Sequence, residues 1–515
     1  MGVAITIRRA IFSILAVSCM AAAAVHASTS ATPSLAAVVV TGSTAFAPPR
    51  LFAAYRDQLG AAINRDNALA ISNALSGLYL ADGYVQPELA IDDSRIADGV
   101  LRFSVFEARV TRVLFEGESG MHGDALQGIA ARLTAASPLR RDDIPAALRD
   151  MRALPGLTVQ ASARRDAGTR NGYELVVRTG FASTESTVRV NNRGTEEIGP
   201  VFVIGQLFAN GLIGQRSKVG LIVASTPDTS EYLGTGLYLE YPLGRSEWRT
   251  SALLFGSHSK PHEQPADLND RYVRQRFTLR ALRAIGSGSN SSFTFSAGLE
   301  ADNLRIRRDG TQIRDDQLRI AELALRGSMR SAGSMQYGLN LQLRRGLDGL
   351  GAGLEATGVV DDPRRADFLV TQLQLTAARR FAQRWTARVD AFAQYSGQVL
   401  PDSERFKIGG DRLGRGFEVA EIAGDRGLGA KLDLRRELFD AGATLGRISA
   451  YGFYDIGAAW KENQAGREYA ATSGFGIASG GARLTGYLEL AAPVSGADIE
   501  GKRSPSAFAE LSWRF

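Results

Sequence analysis
From about Ser183 to Phe515 apolar and polar residues alternate with a period of two, segment after segment. That is the period of a β-strand whose two faces meet different surroundings. Val273, Phe277, Leu279 and Ala281 alternate with Arg274, Arg276, Thr278 and Arg280. Trp385, Ala387, Val389, Ala391, Ala393 and Tyr395 alternate with Thr386, Arg388, Asp390 and Gln394, and Leu432 and Leu434 with Lys431, Asp433 and Arg435. Strands of a soluble sandwich run to about five or six residues. The segments here run near ten, the length that crosses a bilayer when tilted. Hydrocarbon tolerates no unpaired backbone edge, so such a sheet must close on itself. Roughly 330 residues at about 20 per strand and connection give about 16 strands. The prediction is an all-β transmembrane barrel over residues 182–515.

The N-terminus reads as an address. Arg8 and Arg9 precede an apolar run from Ala10 to Ala24, and Val25-His26-Ala27 supplies small residues for cleavage. Residues 1–27 are therefore expected to be a secretory signal peptide. The rival, a lipidated Cys19, suits Ala16-Val17-Ser18 poorly. Cys19 is the only cysteine of the 515 residues, so cleavage after Ala27 leaves an exported chain without disulfides. Two charges of the formal +6 belong to Arg8 and Arg9. The remaining basic residues are spread along strands, which argues against nucleic acid as a partner. No later stretch offers 18 uninterrupted apolar residues, which excludes a helical membrane protein.

Between these regions lies a repeat. Residues 36–108 read strand, helix, helix, strand, strand: Val38 to Thr41 first, then a helical stripe of Leu51, Phe52, Tyr55 and Leu59. A second stripe of Ile71, Leu75, Leu78 and Tyr79 follows, and Leu101, Phe103 and Val105 alternate as a strand. Residues 109–181 repeat the order, with strand Val110 to Phe115, helices Ala125 to Leu133 and Asp142 to Leu154, and strands Thr158 to Ala163 and Tyr173 to Val177. Each half carries a complete apolar set, which favours two units over a single α+β domain.

Two loci about 40 residues apart stand out inside the alternating region. One is cationic, Asp411-Arg412-Leu413-Gly414-Arg415-Gly416-Phe417. The other is anionic, Phe453-Tyr454-Asp455-Ile456-Gly457. Arg415 is charged at any relevant pH, and Gly416 is expected to let the backbone turn sharply beside it. Asp455 sits in an otherwise apolar strand, where a lone carboxylate is costly unless it faces water or a cation. Tyr454, Ile456, Ala458 and Trp460 take the lipid side by parity, which leaves Asp455 for the lumen. The prediction is that Arg415 reaches Asp455 inside the barrel.

These loci, the repeat and the barrel together resemble the two-partner secretion transporters of the bacterial outer membrane, the haemolysin/filamentous-haemagglutinin secretion-activation type. They lie within the wider superfamily whose barrels follow periplasmic polypeptide-transport-associated (POTRA) units. The family's loop usually reads Val-Arg-Gly-Tyr or Val-Arg-Gly-Phe; here Gly414 stands in place of the valine. The resemblance implies an α+β POTRA-like pair followed by the barrel. It implies a lumen-loop motif of Arg415, Gly416 and Phe417 and a wall motif of Phe453, Asp455 and Gly457. It further implies a large exoprotein, unfolded in the periplasm, as the transported partner. Leu511, Trp513 and Phe515 alternate at the end of the last strand, like the signal read by the barrel-assembly machinery. Many members begin with a barrel-plugging helix. The ten or so residues between Ala27 and Val38 have no helical period, so none is expected here. The rival within the superfamily is an assembly factor that inserts other barrels; a passive porin would not need the repeat. The remaining expected partners are outer-membrane lipids, the transporter acting as a monomer.

Other motifs yield to simpler readings. Gly496 to Lys502 has phosphate-loop spacing, but Arg503 stands where Ser or Thr should be and Asp498 and Glu500 would repel phosphate. His258 and His262 are four apart, yet Pro261 interrupts any helix. Gly349-Leu350-Gly351 and Gly474-Phe475-Gly476 lack a strand-turn-helix setting and fit bends or close strand approaches. No cofactor, metal site or enzymatic activity is expected.

Overall fold
The fold comes from a computed structural model that describes residues 33–515 apart from 93–95, 196–197, 245–247, 262–268, 289, 332, 359–361 and 497–503. The proposed signal peptide, Cys19, His262 and the Ala497–Arg503 stretch lie outside the described residues. The chain divides into two compact units, one reaching Asp82 with Gln86–Phe106, the other Gly83–Val85 with Glu107–Phe515.

In the first unit β1 (Ala37–Thr41), α1 (Pro48–Tyr55), α2 (Arg65–Ala81), β2 (Glu88–Asp92) and β3 (Val100–Phe106) follow in order. Central β3 runs parallel to β1 and antiparallel to β2. Asn64 caps α2 by accepting the Asn67 N–H at 2.8 Å. Ile71, Leu75 and Tyr79 on one face of α2 are buried, as are Leu101 and Phe103 of β3 and Leu51 of α1. The first helical stripe is shorter than its spacing suggested. α1 stops at Tyr55, a 3₁₀ turn carries Arg56–Gln58, and Leu59 lies beyond it, exposed, where Gly60 turns the chain at φ +85°.

The second unit opens with the same order: β4 (Arg109–Gly117), α3 (Gly123–Ala135), α4 (Asp143–Arg152), β5 (Leu157–Arg165) and β6 (Gly172–Phe181). Its sheet also has the last strand in the middle, β4-β6-β5. Leu126, Ile129 and Leu133 of α3 and Met151 of α4 close over Val110, Leu175 and Val177. Both sets of elements are POTRA-like.

The rest is a closed antiparallel barrel of 16 long strands among the described residues, from Thr184–Asn191 to Ser506–Arg514. Closure is the solution that leaves no backbone edge in lipid. Leu237, Leu254, Leu299, Leu323, Leu432 and Ile456 point outward and are exposed, whereas Glu300, Glu322, Asp390 and Asp455 point inward and are buried. Strand length is less uniform than the sequence suggested. Asp270–Gly288, Ser291–Arg308 and Thr311–Arg330 have 19, 18 and 20 residues. They continue well past an apolar band because their polar alternation does not stop where the apolar one does. The short strand Gly353–Ala356 pairs with the far end of Thr311–Arg330, past the end of Met335–Gly346.

The seam between first and last strands is brief: only Thr187–Asn191 pair with Glu510–Arg514. Asn192 extends it, donating to the Ala507 carbonyl at 2.9 Å and accepting the Ala509 N–H at 2.6 Å. Leu511, Trp513 and Phe515 are exposed on the outside, the last two rings stacked at 5.5 Å.

Candidate functional site
Residues 396–425 leave the strand Trp385–Tyr395 and return as Arg426–Asp440. Between them Phe406–Ile408 and Ile422–Gly424 pair as a small hairpin. Phe406, Ile408, Leu413, Phe417 and Ile422 of this loop are buried against Phe392, Ala459 and Ala470, which belong to three different barrel strands. The loop is therefore folded into the lumen and held on an apolar footing.

Arg415 sits at the tip of this arrangement. Its Nε and Nη2 donate to Asp455 Oδ2 and Oδ1 at 3.0 and 2.7 Å, a two-pronged pair. The backbone N–H groups of Gly414 and Arg415 also donate to Asp455 Oδ2, each at 3.2 Å. Asp455 is fully buried and Arg415 only 6% exposed. The guanidinium lies 3.6 Å from the centre of the Phe453 ring. Its Nη1 reaches Asp433 at 3.1 Å and Glu489 at 3.3 Å. Burial works to lower the pKa of Arg415, which stands on the loop and not on a membrane-crossing strand; the bond to Asp455 and the carboxylate charges outweigh it, and the pKa rises.

The structure thus places all six motif residues of the sequence reading around one point, though the turn expected at Gly416 falls at Gly414. Gly414, at φ +84°, makes the turn; a β-branched valine would be strained there. Gly416 has no left-handed φ among the described residues. Its need is space, since a Cβ would stand 2.3 Å from Thr472 Cγ2 and 3.0 Å from the Ala492 carbonyl carbon. Gly457 likewise leaves room on the wall for Ile408 and Leu413. Gly474 and Gly476 lie under rings: a Cβ would meet Phe453 at 2.4 Å and Tyr451 Oη at 2.6 Å.

Several partners were not visible from sequence. Arg193, just past the first strand, donates to Glu489 at 2.5 Å, to Tyr487 Oη at 3.0 Å and to the Arg415 carbonyl at 3.4 Å. Tyr451 donates to Glu489 at 2.9 Å. A second ion cluster holds the other flank of the loop. Glu404 accepts Arg344 Nε and Nη2 at 2.8 and 3.0 Å, and Arg344 also donates to Glu322 at 2.6 Å and Glu300 at 3.1 Å. Arg280 donates to Glu322 at 3.0 Å. The only sequence signal was a carboxylate or arginine at a lumen-facing position, shared by dozens of residues.

A closed barrel whose lumen holds a loop locked by buried ion pairs, preceded by two small α+β units, defines an outer-membrane transport protein of the POTRA-plus-barrel type. The fold agrees with solved structures: CdiB from Escherichia coli superposes with a TM-score of 0.78 at 16% identity, covering 96% of this chain and 93% of that one. BamA from Haemophilus ducreyi lacking POTRA domains 1-3 reaches 0.51 at 12% identity, over 93% and 99%. In sequence, the outer membrane transporter CdiB of Escherichia coli is 24% identical over 477 residues, 88% of this chain and 77% of that protein. Residues 178–480 match the family described as haemolysin secretion/activation protein ShlB/FhaC/HecB, and the chain belongs to that family. It is a two-partner secretion transporter of the bacterial outer membrane, acting with a secreted exoprotein.

Proposed function
We propose that Arg415 and Asp455 form the latch that keeps the lumenal loop across the export path, and that cargo passes when this latch opens. The observation that carries this reading is the two-pronged bond from a loop arginine to a fully buried wall carboxylate. The two POTRA-like units precede the barrel in the chain and stand in the periplasm. They catch the unfolded exoprotein by adding its extended segments to a free sheet edge, β1 or β2 in the first unit and β4 or β5 in the second. Folding of the exoprotein outside the cell draws it through, since no nucleotide is at hand there. Leu511, Trp513 and Phe515 present the aromatic-ended strand to the assembly machinery during insertion.

The test is Arg415→Ala, co-expressed with the transporter's secreted exoprotein. Insertion is followed by heat-modifiable migration and export by the amount of exoprotein in the medium. The expected result is normal insertion with export reduced at least severalfold. Full export from a normally inserted variant would remove the latch.

A further inference from the structure
The lumenal loop carries bonds of its own. Besides the hairpin of Phe406–Ile408 with Ile422–Gly424, the Gly409 N–H donates to the Leu413 carbonyl at 2.8 Å and the Gly410 N–H to the Phe417 carbonyl at 3.1 Å. Phe406, Ile408, Leu413, Phe417 and Ile422 belong to one apolar cluster. A segment tied this way moves as one body, and its pivot lies where that body meets the strands.

At that base stands Asp425, a fully buried carboxylate that takes no part in the latch. Its Oδ1 accepts the Leu400 N–H at 2.8 Å, so one side chain joins the two ends of the loop across 25 positions of chain. Its Oδ2 accepts the Glu462 N–H, also at 2.8 Å, in the connection that follows Arg447–Trp460. The ends so joined are held by further bonds. Leu400 is fully buried with Phe368 and Val370 against Leu318 and Ile320 of the wall. Asp402 accepts Arg314 at 2.7 Å, and Arg426 pairs with Glu462 at 2.5 Å. Gln394, on the strand before the loop, donates to the Glu404 and Asp425 carbonyls at 2.8 and 3.3 Å.

Asp425 and Asp455 are alike in one respect and opposed in another. Each is a fully buried carboxylate that accepts two backbone N–H groups. At Asp455 both donors sit on the moving tip of the loop, together with the two prongs of Arg415. At Asp425 both donors sit on segments fixed to the wall, and the ion pair is the longer one, Arg405 Nε at 3.6 Å. A residue that merely capped the turn at Glu462 would have no need of Leu400.

We propose that Asp425 is the hinge pin of the lumenal loop: residues 403–424 swing about Leu400 and Asp425 while those two stay joined. Hinges of this kind use a few residues at the ends of elements. Asp425 is thus a positioning residue that returns Arg415 to Asp455 after each opening. Which residues swing rests on the latch proposed above; the bonds at Asp425 do not.

The test reads single amides of the full chain in detergent, by hydrogen exchange with fragmentation. In the unaltered chain Leu400 and Glu462 are expected to be protected at least about tenfold more strongly than Gly414, whose N–H opens with the latch. Asp425→Asn keeps the shape but turns one acceptor oxygen into a donor facing an N–H. It should speed exchange at Leu400 or Glu462 about tenfold or more. It should also lengthen open events in planar bilayers severalfold, because the loop then reseats without a fixed pivot. Heat-modifiable migration checks that the variant barrel folds, and the comparison within the unaltered chain needs no variant. Leu400 exchanging as readily as Gly414 would mean that the loop lifts from its base, which overturns the proposal. So would unchanged open times in Asp425→Asn, which would leave Asp425 a turn cap. Failure of the latch reads out separately, as an unchanged Gly414 amide in Arg415→Ala.

Discussion

The two flanks of the lumenal loop are fastened by ion clusters of opposite construction. At one flank the loop supplies the cation, Arg415, and the wall supplies Asp455, Asp433 and Glu489, with Arg193 as a second cation. At the other the loop supplies the anion, Glu404, and the wall supplies Arg344, which also holds Glu300 and Glu322. The difference lies in what remains when the loop's charge leaves. Without Arg415, two buried carboxylates, Asp455 and Glu489, and the partly exposed Asp433 face Arg193 as the one guanidinium bonded to any of them among the described residues. Without Glu404, Arg344 keeps two carboxylates and the wall stays balanced. The Arg415 flank resists opening; the Glu404 flank opens at lower cost.

That contrast can be broken by experiment. The largest effect belongs to Arg415→Ala. Breaking a buried pair costs about 3–5 kcal/mol, so amides of residues 406–417 should exchange hydrogen faster by two or more orders of magnitude. Protection equal to the parent protein would place the loop's anchorage in its apolar footing instead. Glu404→Gln should cost less, about 1–3 kcal/mol. It should raise open-channel frequency in planar bilayers while leaving the exchange of Arg415 and its neighbours nearly unchanged. If Glu404→Gln opens the channel as much as Arg415→Ala, the two flanks are equivalent and the asymmetry falls. The smallest effect is expected from Asp433→Asn. It leaves Arg415 and Arg193 against Asp455 and Glu489, and Asp433 is partly solvated, so the change should stay within about 1 kcal/mol. A large loss of export from this variant would give Asp433 a role beyond charge balance.

The closed barrel was legible because a period of two sustained over 330 residues leaves few alternatives. Arg415 and Asp455 were legible because each broke its surroundings: a charged loop amid glycines, a carboxylate among lipid-facing residues. Glu489, Arg193, Glu404 and Arg344 broke nothing. Each occupies a lumen-facing position where charge is ordinary, and Arg193 lies 296 residues from Glu489. No local spacing encodes such a pairing; only the strand order brings it about. The turn expected at Gly416 falls at Gly414 for a related reason. Composition says that a glycine is needed, but whether for φ or for clearance is decided by Thr472 and Ala492, whose approach is a tertiary fact. The length of Thr311–Arg330 escaped notice because its outward residues turn from Leu325 and Leu323 to the polar Arg319, Gln317 and Asp315, so the apolar signal ends before the strand does.

Both ends of the loop are stitched into adjacent strands, Trp385–Tyr395 and Arg426–Asp440, which pair over ten residues of ladder. A gate tethered in this way can swing but cannot drift off. Its resealing is a unimolecular event, governed by tether geometry and not by the concentration of any stopper. On the gating proposed above, the doorway would reset itself after each passage, at the same rate in a crowded envelope as in a dilute one.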